Sequence, residues 1–145
     1  MIRIGFIINS NIYKWLGGFY VLKNLINSIN SNKNKNIKVI LFINKNLSIK
    51  LFKSFNVEIV KTNYFNSINF YKKILVKICI VLFGKSKIYD DFFLKFKIDL
   101  ISHSLILGRK SQIKSFYWIP DFQHVHYPEY FSWLSRFFRK ILKTN

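Results

Sequence analysis

The sequence predicts an α/β fold in which an open parallel sheet carries helices on both faces. Two observations lead to this prediction. Short apolar runs rich in β-branched residues recur along the chain, and such continuous runs are typical of strands buried on both faces. Segments with apolar residues at helical spacing separate these runs. Because strands that alternate with helices form βαβ units, we expect one parallel sheet with right-handed crossovers.

The first three strands and their connecting helices are predicted in the first part of the chain. Residues 2–8, IRIGFII, form a buried strand, and a polar loop separates it from a helix that begins at Gly18. Residues 37–43, IKVILFI, form the second strand, and a short helix, NLSIKLFKSF, precedes a third strand at residues 57–62. The apolar positions of the first helix are Phe19, Leu22, Leu25, Ile26 and Ile29.

The rest of the chain continues this alternation. Residues 68–97 are predicted to be mostly helical, with an interruption near Gly84. Residues 98–104 and 115–121 are predicted as two further strands, and Pro120 stops the last one because proline cannot donate to the ladder. The boundaries are defined to within a few residues.

Composition favours one domain over residues 1–145 and argues against several classes of protein. Half of the residues are hydrophobic and 19% are aromatic, so a buried core is expected instead of disorder. Cys79 is the only cysteine, which suits the cytosol and favours a small core residue over a nucleophile. The longest apolar run, residues 74–83, is broken by Lys77 and is too short to span a membrane. We find no signal peptide pattern.

The net charge of +18 raises the hypothesis of nucleic-acid binding, which the identity of the basic residues argues against. Most of them are lysines spread along the chain, whereas arginine is the better residue for bidentate contacts with phosphate and guanine. The excess of lysine, asparagine, isoleucine and phenylalanine is what an A/T-rich coding sequence produces. We therefore interpret the charge as compositional background with some attraction to anionic surfaces.

Gly17 and Gly18 follow the first strand, where the next helix is expected to begin. In a doubly wound sheet, ligands bind outside the carboxyl ends of the strands. Glycine lets a ligand approach the backbone, and the N–H groups at a helix start attract anions such as phosphate. The spacing is not that of the dinucleotide-binding fingerprint, so a tight turn without a ligand is the simpler interpretation of this pair alone.

The segment WIPDFQHVHYPEYFS, residues 118–132, contains both prolines and two of the three histidines. We expect Asp121 and His124 at the carboxyl end of the last strand, on the same rim as the glycine pair. Three interpretations stay open: a turn in which Asp121 caps the following helix, a metal site, and a site for hydroxyl groups with His124 facing the cleft. The metal ligands would come from Asp121, His124, His126, Glu129 and His103, which match no common ligand pattern.

Two of these segments carry a resemblance to a known family. WLGGFYVLKNL after the first strand, followed about a hundred residues later by WIPDFQHVHYPEYFS, resembles the amino-terminal half of the group 1 glycosyltransferases. These are retaining enzymes of family 4 type with the GT-B fold, which consists of two Rossmann-like domains. The resemblance implies a Rossmann-like domain, a nucleotide-sugar as co-substrate, a glycan or lipid-linked acceptor, and neither a cofactor nor a metal.

The resemblance also implies roles for individual residues. Gly17 and Gly18 would lie in the glycine-rich loop near the donor phosphates and the acceptor. Asp121 and His124 would face the cleft between the two domains as catalytic residues, with His124 contacting the sugar. The further substrate-binding candidates are Tyr20, Asn24 and Gln123.

The family's second domain holds the nucleotide-sugar, and this sequence reaches Asn145 without a counterpart of it. The resemblance therefore implies a truncated chain that does not transfer sugar alone, because half of a cleft cannot position donor and acceptor. The alternative, from a different class, is a non-catalytic basic α/β module that binds nucleic acid or anionic membrane.

Two segments suggest peripheral contact with an anionic membrane. Residues 131–143 place aromatic and aliphatic side chains on one side and basic side chains on the other, and residues 68–83 offer a similar pattern. Packing as core helices explains both segments equally well. Because acceptors in the resembling family are often lipid-linked or surface polysaccharides, we expect a cytoplasmic location, peripheral on the inner membrane face.

Overall fold

The structure is a computed structural model that describes residues 1–8, 16–31, 36–103, 105–116, 127–134 and 136–137. Its elements, in chain order, are β1 (Ile2–Ile8), α1 (Leu16–Ser31), β2 (Ile37–Ile43), a 3-10 helix (Ile49–Phe55), β3 (Glu58–Lys61), α2 (Tyr64–Ser67), α3 (Phe70–Phe83), α4 (Lys87–Lys95), β4 (Leu100–Ser102), β5 (Lys114–Phe116) and a second 3-10 helix (Pro128–Tyr130).

The five strands form one sheet in the order β3-β2-β1-β4-β5, and every neighbouring pair is parallel. The predicted Rossmann-like open parallel sheet is therefore confirmed. The chain builds outward from β1 to β3 on one side and then returns to place β4 on the other side of β1. This reversal creates a topological switch point between β1 and β4, where open α/β sheets bind their ligands.

One face of the sheet is covered by α1 and the first 3-10 helix. Alternate side chains of β1 and β2 point to this face because successive residues of a strand point to opposite sides. Phe52 and Phe55 of the 3-10 helix are fully buried, and the ring of Phe19 on α1 lies 6.2 and 5.8 Å from theirs. The buried residues of this core are Phe6, Ile8, Leu22, Ile26, Val39, Leu41, Ile43, Leu47, Phe52 and Phe55.

The opposite face is covered by α3 and α4, so the prediction of helices on both faces is confirmed. Phe42 on β2 lies at the centre of this second core. The buried residues around it are Ile40, Ile68, Val76, Ile80, Tyr89, Phe93, Ile98, Ile101, Leu107 and Ile113. The two cores together explain the continuous apolar runs of β1 and β2, which have no solvent-facing side along most of their length.

The element boundaries differ from the predicted ones in a few places. Gly17 and Gly18 lie inside the first turn of α1, because glycine adopts helical angles as readily as loop angles. The predicted short helix is of the 3-10 type, with the Ser48 hydroxyl accepting from the Lys50 N–H. β3, β4 and the described part of β5 are shorter than predicted, and residues 117–121 of the last predicted strand lie outside the described residues.

The predicted interruption near Gly84 is confirmed. Gly84 has a left-handed backbone (φ 72°), and its N–H donates to the Ile80 carbonyl at 2.9 Å, which ends α3. Cys79 lies on α3 and is only partly buried, so it is not among the buried residues of either core. Within the described ranges, no helix has the length and hydropathy needed to cross a membrane.

Candidate functional site

The candidate site is the rim formed by the carboxyl ends of β1 and β4. Phe6 of β1 pairs in register with Ser102, the last residue of β4, so these two strands end close together. The first turn of α1 lies at the same end of the sheet because a helix that follows a parallel strand starts at that strand's carboxyl end. This arrangement gives the rim a helix start on one side and the residue after β4 on the other.

His103 is the residue that follows β4, and the surrounding strands fix its position. Its backbone is left-handed (φ 62°), and its N–H donates to the Phe116 carbonyl of β5 at 2.7 Å. The imidazole centroid lies 6.1 Å from the ring of Phe6 and 5.8 Å from the ring of Phe116. Residues on both neighbouring strands therefore hold the imidazole at the switch point.

The hydrogen bonding and burial of His103 favour a neutral imidazole. Its Nδ1 lies 2.5 Å from the Ser102 hydroxyl oxygen, and burial lowers the pKa of His103 below its ordinary value. When Nδ1 accepts the hydroxyl proton, the ring carries its own proton on Nε2. In this tautomer the ring is uncharged and its Nε2–H is a hydrogen-bond donor, a property that suits a hydroxyl oxygen of a sugar.

The lowered pKa of His103 predicts a pH dependence of stability. Because the folded-state pKa lies below the ordinary value of 6.5, the unfolded chain binds more protons in this range. The contribution of His103 to the free energy of unfolding should therefore be constant above that value, and this part of the stability should be lost as the pH drops below it. Urea unfolding at a series of pH values should show a smaller fall in the His103→Asn variant, which keeps a residue tolerated in the left-handed region.

Glu58 provides an internal control for this experiment. A hydrogen bond from Lys38 lowers the pKa of Glu58 below 4.5, so its contribution is lost only in a more acidic range. The His103→Asn variant should leave that acidic part of the stability curve unchanged. If the free energy of unfolding changed identically in parent and variant between pH 6.5 and 4.5, the loss of stability in this range could not be assigned to His103.

The structure places the predicted residues of α1 in different surroundings. Gly17 is exposed, and among the described residues no atom lies within 4 Å of the position that an added Cβ would take. Gly18 is buried, on the same side of the helix as the buried Leu22 and Ile26. Tyr20 and Asn24 are exposed on the same side as Gly17, but Asn24 lies about 10 Å farther along the helix axis from the rim. Of these four predicted site residues, only Gly17 and Gly18 lie in the first turn of α1, at the rim.

The turns that follow β2 and β3 at this edge are held by asparagine side chains. Asn44 follows β2 and is buried, and its Oδ1 accepts from the Asn46 N–H at 2.8 Å. The Lys45 N–H donates to Asn63 Oδ1 at 3.3 Å, which joins the turns after β2 and β3. These amides satisfy backbone donors, so this half of the edge is structural.

The remaining predicted site residues, Asp121, Gln123 and His124, lie outside the described residues, as does His126. The proximity of His124 to the glycine pair therefore stays a prediction. Phe116, the last described residue of β5, lies beside His103. Among the residues that the structure describes, which include His103 and Glu129, no group of three or more potential ligands could hold a metal.

The sequence indicates His103 only as a possible metal ligand and does not predict its place at the switch point. The available signal was a histidine near the end of a predicted strand, at residues 98–104. This signal acquires meaning only when β4 is known to lie beside β1, which the order of elements along the chain does not reveal.

Comparison of the chain with protein-family models, with curated proteins and with solved structures found no match. Functional inference for this chain therefore depends on its own motifs and on the geometry of the rim.

Proposed function

We propose that this chain is the acceptor-side, amino-terminal domain of a retaining glycosyltransferase, which transfers a sugar from a nucleotide-sugar to a glycan or lipid-linked acceptor. The observation that carries this proposal is the switch point between β1 and β4, with an open helix start on one side and His103 on the other. The two sequence motifs support the same function. The proposed location is cytoplasmic, peripheral on the inner membrane face.

The groups at the rim suit the two kinds of ligand in such a reaction, the phosphates of the donor and the hydroxyl groups of a sugar. The first N–H groups of α1 have no partner within the helix, and they attract phosphate oxygens where Gly17 leaves the backbone open. A neutral His103 suits hydroxyl groups of a sugar. Asp121 and His124 are the proposed catalytic residues, and Gly18, Tyr20, Asn24 and Gln123 are the further substrate-binding candidates.

Binding is the property to measure in this chain, since the resembling family holds its donor mainly through a second Rossmann-like domain. We expect titration of the ¹⁵N-labelled chain with UDP-glucose, and separately with a soluble glycan, to shift the amide signals of Gly17 and Gly18 and the imidazole signals of His103. The shifts should cluster at the carboxyl ends of β1 and β4.

A pair of charge-matched variants tests whether the phosphates lie at the start of α1. Gly17→Asp adds a carboxylate to the open space there, and like-charge repulsion should weaken UDP-glucose binding about tenfold or more. Ser28→Asp adds the same charge on the same side of α1, about 16 Å away, and should change binding less than about twofold.

The same titration separates the proposal from its alternative, a basic module that binds nucleic acid or anionic membrane without catalysis. The net charge of +18 is the observation that favours this alternative. The alternative would be supported if the shifts were spread over the surface lysines and if Gly17→Asp and Ser28→Asp lost equal affinity for UDP-glucose. The same results would contradict the glycosyltransferase proposal. Binding by the module would also fall steeply with salt.

A further inference from the structure

The side of α3 that faces away from the sheet is apolar. Val76 and Ile80 are the buried residues of this helix, and they point to the second core. The opposite side carries residues spaced by three or four positions over three turns. We call this set the outward stripe: Tyr71, Ile74, Leu75, Ile78 and Leu82.

The outward stripe is a contiguous exposed surface. The exposed fractions of Tyr71, Leu75 and Leu82 are 82%, 53% and 69%. A helix at the surface of a globular protein normally turns charged and polar residues to this side. Single exposed apolar residues are common, but a continuous stripe of them marks a surface that contacts a partner or a membrane.

Positive charge surrounds the outward stripe. Lys72, Lys73 and Lys77 are exposed on the same helix, which contains no acidic residue. On a helical projection, Lys72 and Lys77 lie on opposite borders of the stripe. The side chain of Lys110 packs along Gly84 at the carboxyl end of the helix. Lysines in such positions can cover apolar surface with their stems and extend their ammonium groups to an anionic layer.

We propose that the outward stripe of α3 docks on the surface of an anionic phospholipid bilayer, with the helix axis in the plane of the interface. The apolar side chains enter the boundary between headgroups and acyl chains, and the bordering lysines contact lipid phosphates. α3 is about 20 Å long, so it lies on the bilayer and does not cross it. This inference names the surface that would make the peripheral membrane contact proposed above, and it does not depend on the proposed glycosyltransferase activity.

Charge complementarity favours a bilayer over a second copy of the chain. Pairing two outward stripes would bring the bordering lysines of both copies together in chains that each carry a net charge of +18. Like charges placed against each other in an interface disfavour association. An anionic bilayer instead neutralises the same lysines while it covers the apolar residues.

Co-sedimentation of the full chain with lipid vesicles tests this proposal. We expect binding to vesicles of phosphatidylcholine mixed with phosphatidylglycerol and little binding to phosphatidylcholine alone. The Leu75→Ser/Leu82→Ser variant should bind the mixed vesicles at least about tenfold more weakly, because two exposed apolar side chains are lost from the stripe. Leu94→Ser, an exposed leucine on α4, is the matched control and should bind like the parent.

A second pair of variants tests the lysines. Lys72→Gln/Lys77→Gln should weaken binding to the mixed vesicles about 25-fold, since each lysine near an anionic surface contributes about fivefold. Lys50→Gln/Lys53→Gln removes the same charge from the 3-10 helix on the other face of the sheet and should have a much smaller effect. Circular dichroism and the thermal midpoint of each variant show whether it is folded.

Because Cys79 is the only cysteine, the contact can also be located with a single label. In a Cys79→Ser background, an environment-sensitive fluorophore at Ile78→Cys should brighten on the mixed vesicles, whereas the same label at Leu94→Cys should not. Equal binding to both vesicle types, or wild-type binding by the stripe variant, would overturn the proposal. So would a lipid-free dimer in sedimentation velocity that the stripe variant dissociates, because a second copy would then cover the stripe.

Discussion

Replacing Gly108 with alanine is expected to destabilise the protein by about 3 to 5 kcal/mol. Gly108 has a left-handed backbone (φ 93°) that alanine adopts only with strain. An added Cβ would also stand 2.7 Å from the carbonyl carbon of Gly84 and overlap its oxygen. That carbonyl accepts from the Lys110 N–H at 2.8 Å, so it cannot move aside without losing a hydrogen bond.

Two other glycines give a graded comparison for Gly108. Gly84→Ala meets the same kind of strain (φ 72°), but the three atoms nearest to its Cβ would all belong to the flexible side chain of Lys110, so we expect a loss of about 1 to 2 kcal/mol. Gly17→Ala lies in open space on α1 and should be neutral or slightly stabilising, because alanine favours a helix. Urea unfolding of the three variants measures the series. Equal losses at Gly108 and Gly84 would show that backbone overlap is not the cause.

Replacing Phe42 with alanine should cost about 3 to 5 kcal/mol of folding free energy. Its side chain is fully buried on β2, where it joins the sheet to the helices above it. Its ring centroid lies 5.2 to 6.4 Å from those of four other rings: Phe65, Phe92, Phe93 and Phe96. Truncation removes the buried ring and leaves a cavity that the surrounding rings, which lie on α2, on α4 and just after α4, cannot fill.

Two further variants separate the cavity from other effects of the change. Phe42→Leu keeps most of the apolar volume and should lose about half as much or less. Phe70→Ala removes the same ring from a position that is 72% exposed and should change stability by less than about 0.5 kcal/mol. Chemical unfolding measures the free energy of unfolding of all three variants. The slope of this free energy against denaturant concentration shows whether each variant unfolds in two states. A loss below about 1 kcal/mol for Phe42→Ala would contradict the packing described for the second core.

Local sequence determined the strongest elements of the fold. Residues 2–8 and 37–43 were predicted as strands, and β1 and β2 occupy these same ranges. Each is a continuous apolar run with polar residues beyond it, a signal complete within seven residues. The apolar positions of α1 were predicted from helical spacing, which is also a local signal, and Leu22 and Ile26 among them are buried. Local sequence alone also predicted that Gly17 and Gly18 lie where the first helix begins.

Tertiary structure decided what these elements do together. Ile4 pairs with Leu100 across 96 positions of the chain, and no local pattern specifies that β4 lies beside β1 instead of at an edge. That pairing alone brings His103 to the switch point. Similarly, α3 is apolar on most of its circumference, so its sequence could not indicate which side would be buried. The periodicity of a segment defines its backbone conformation over a few residues, whereas strand order and helix docking depend on contacts between distant parts of the chain.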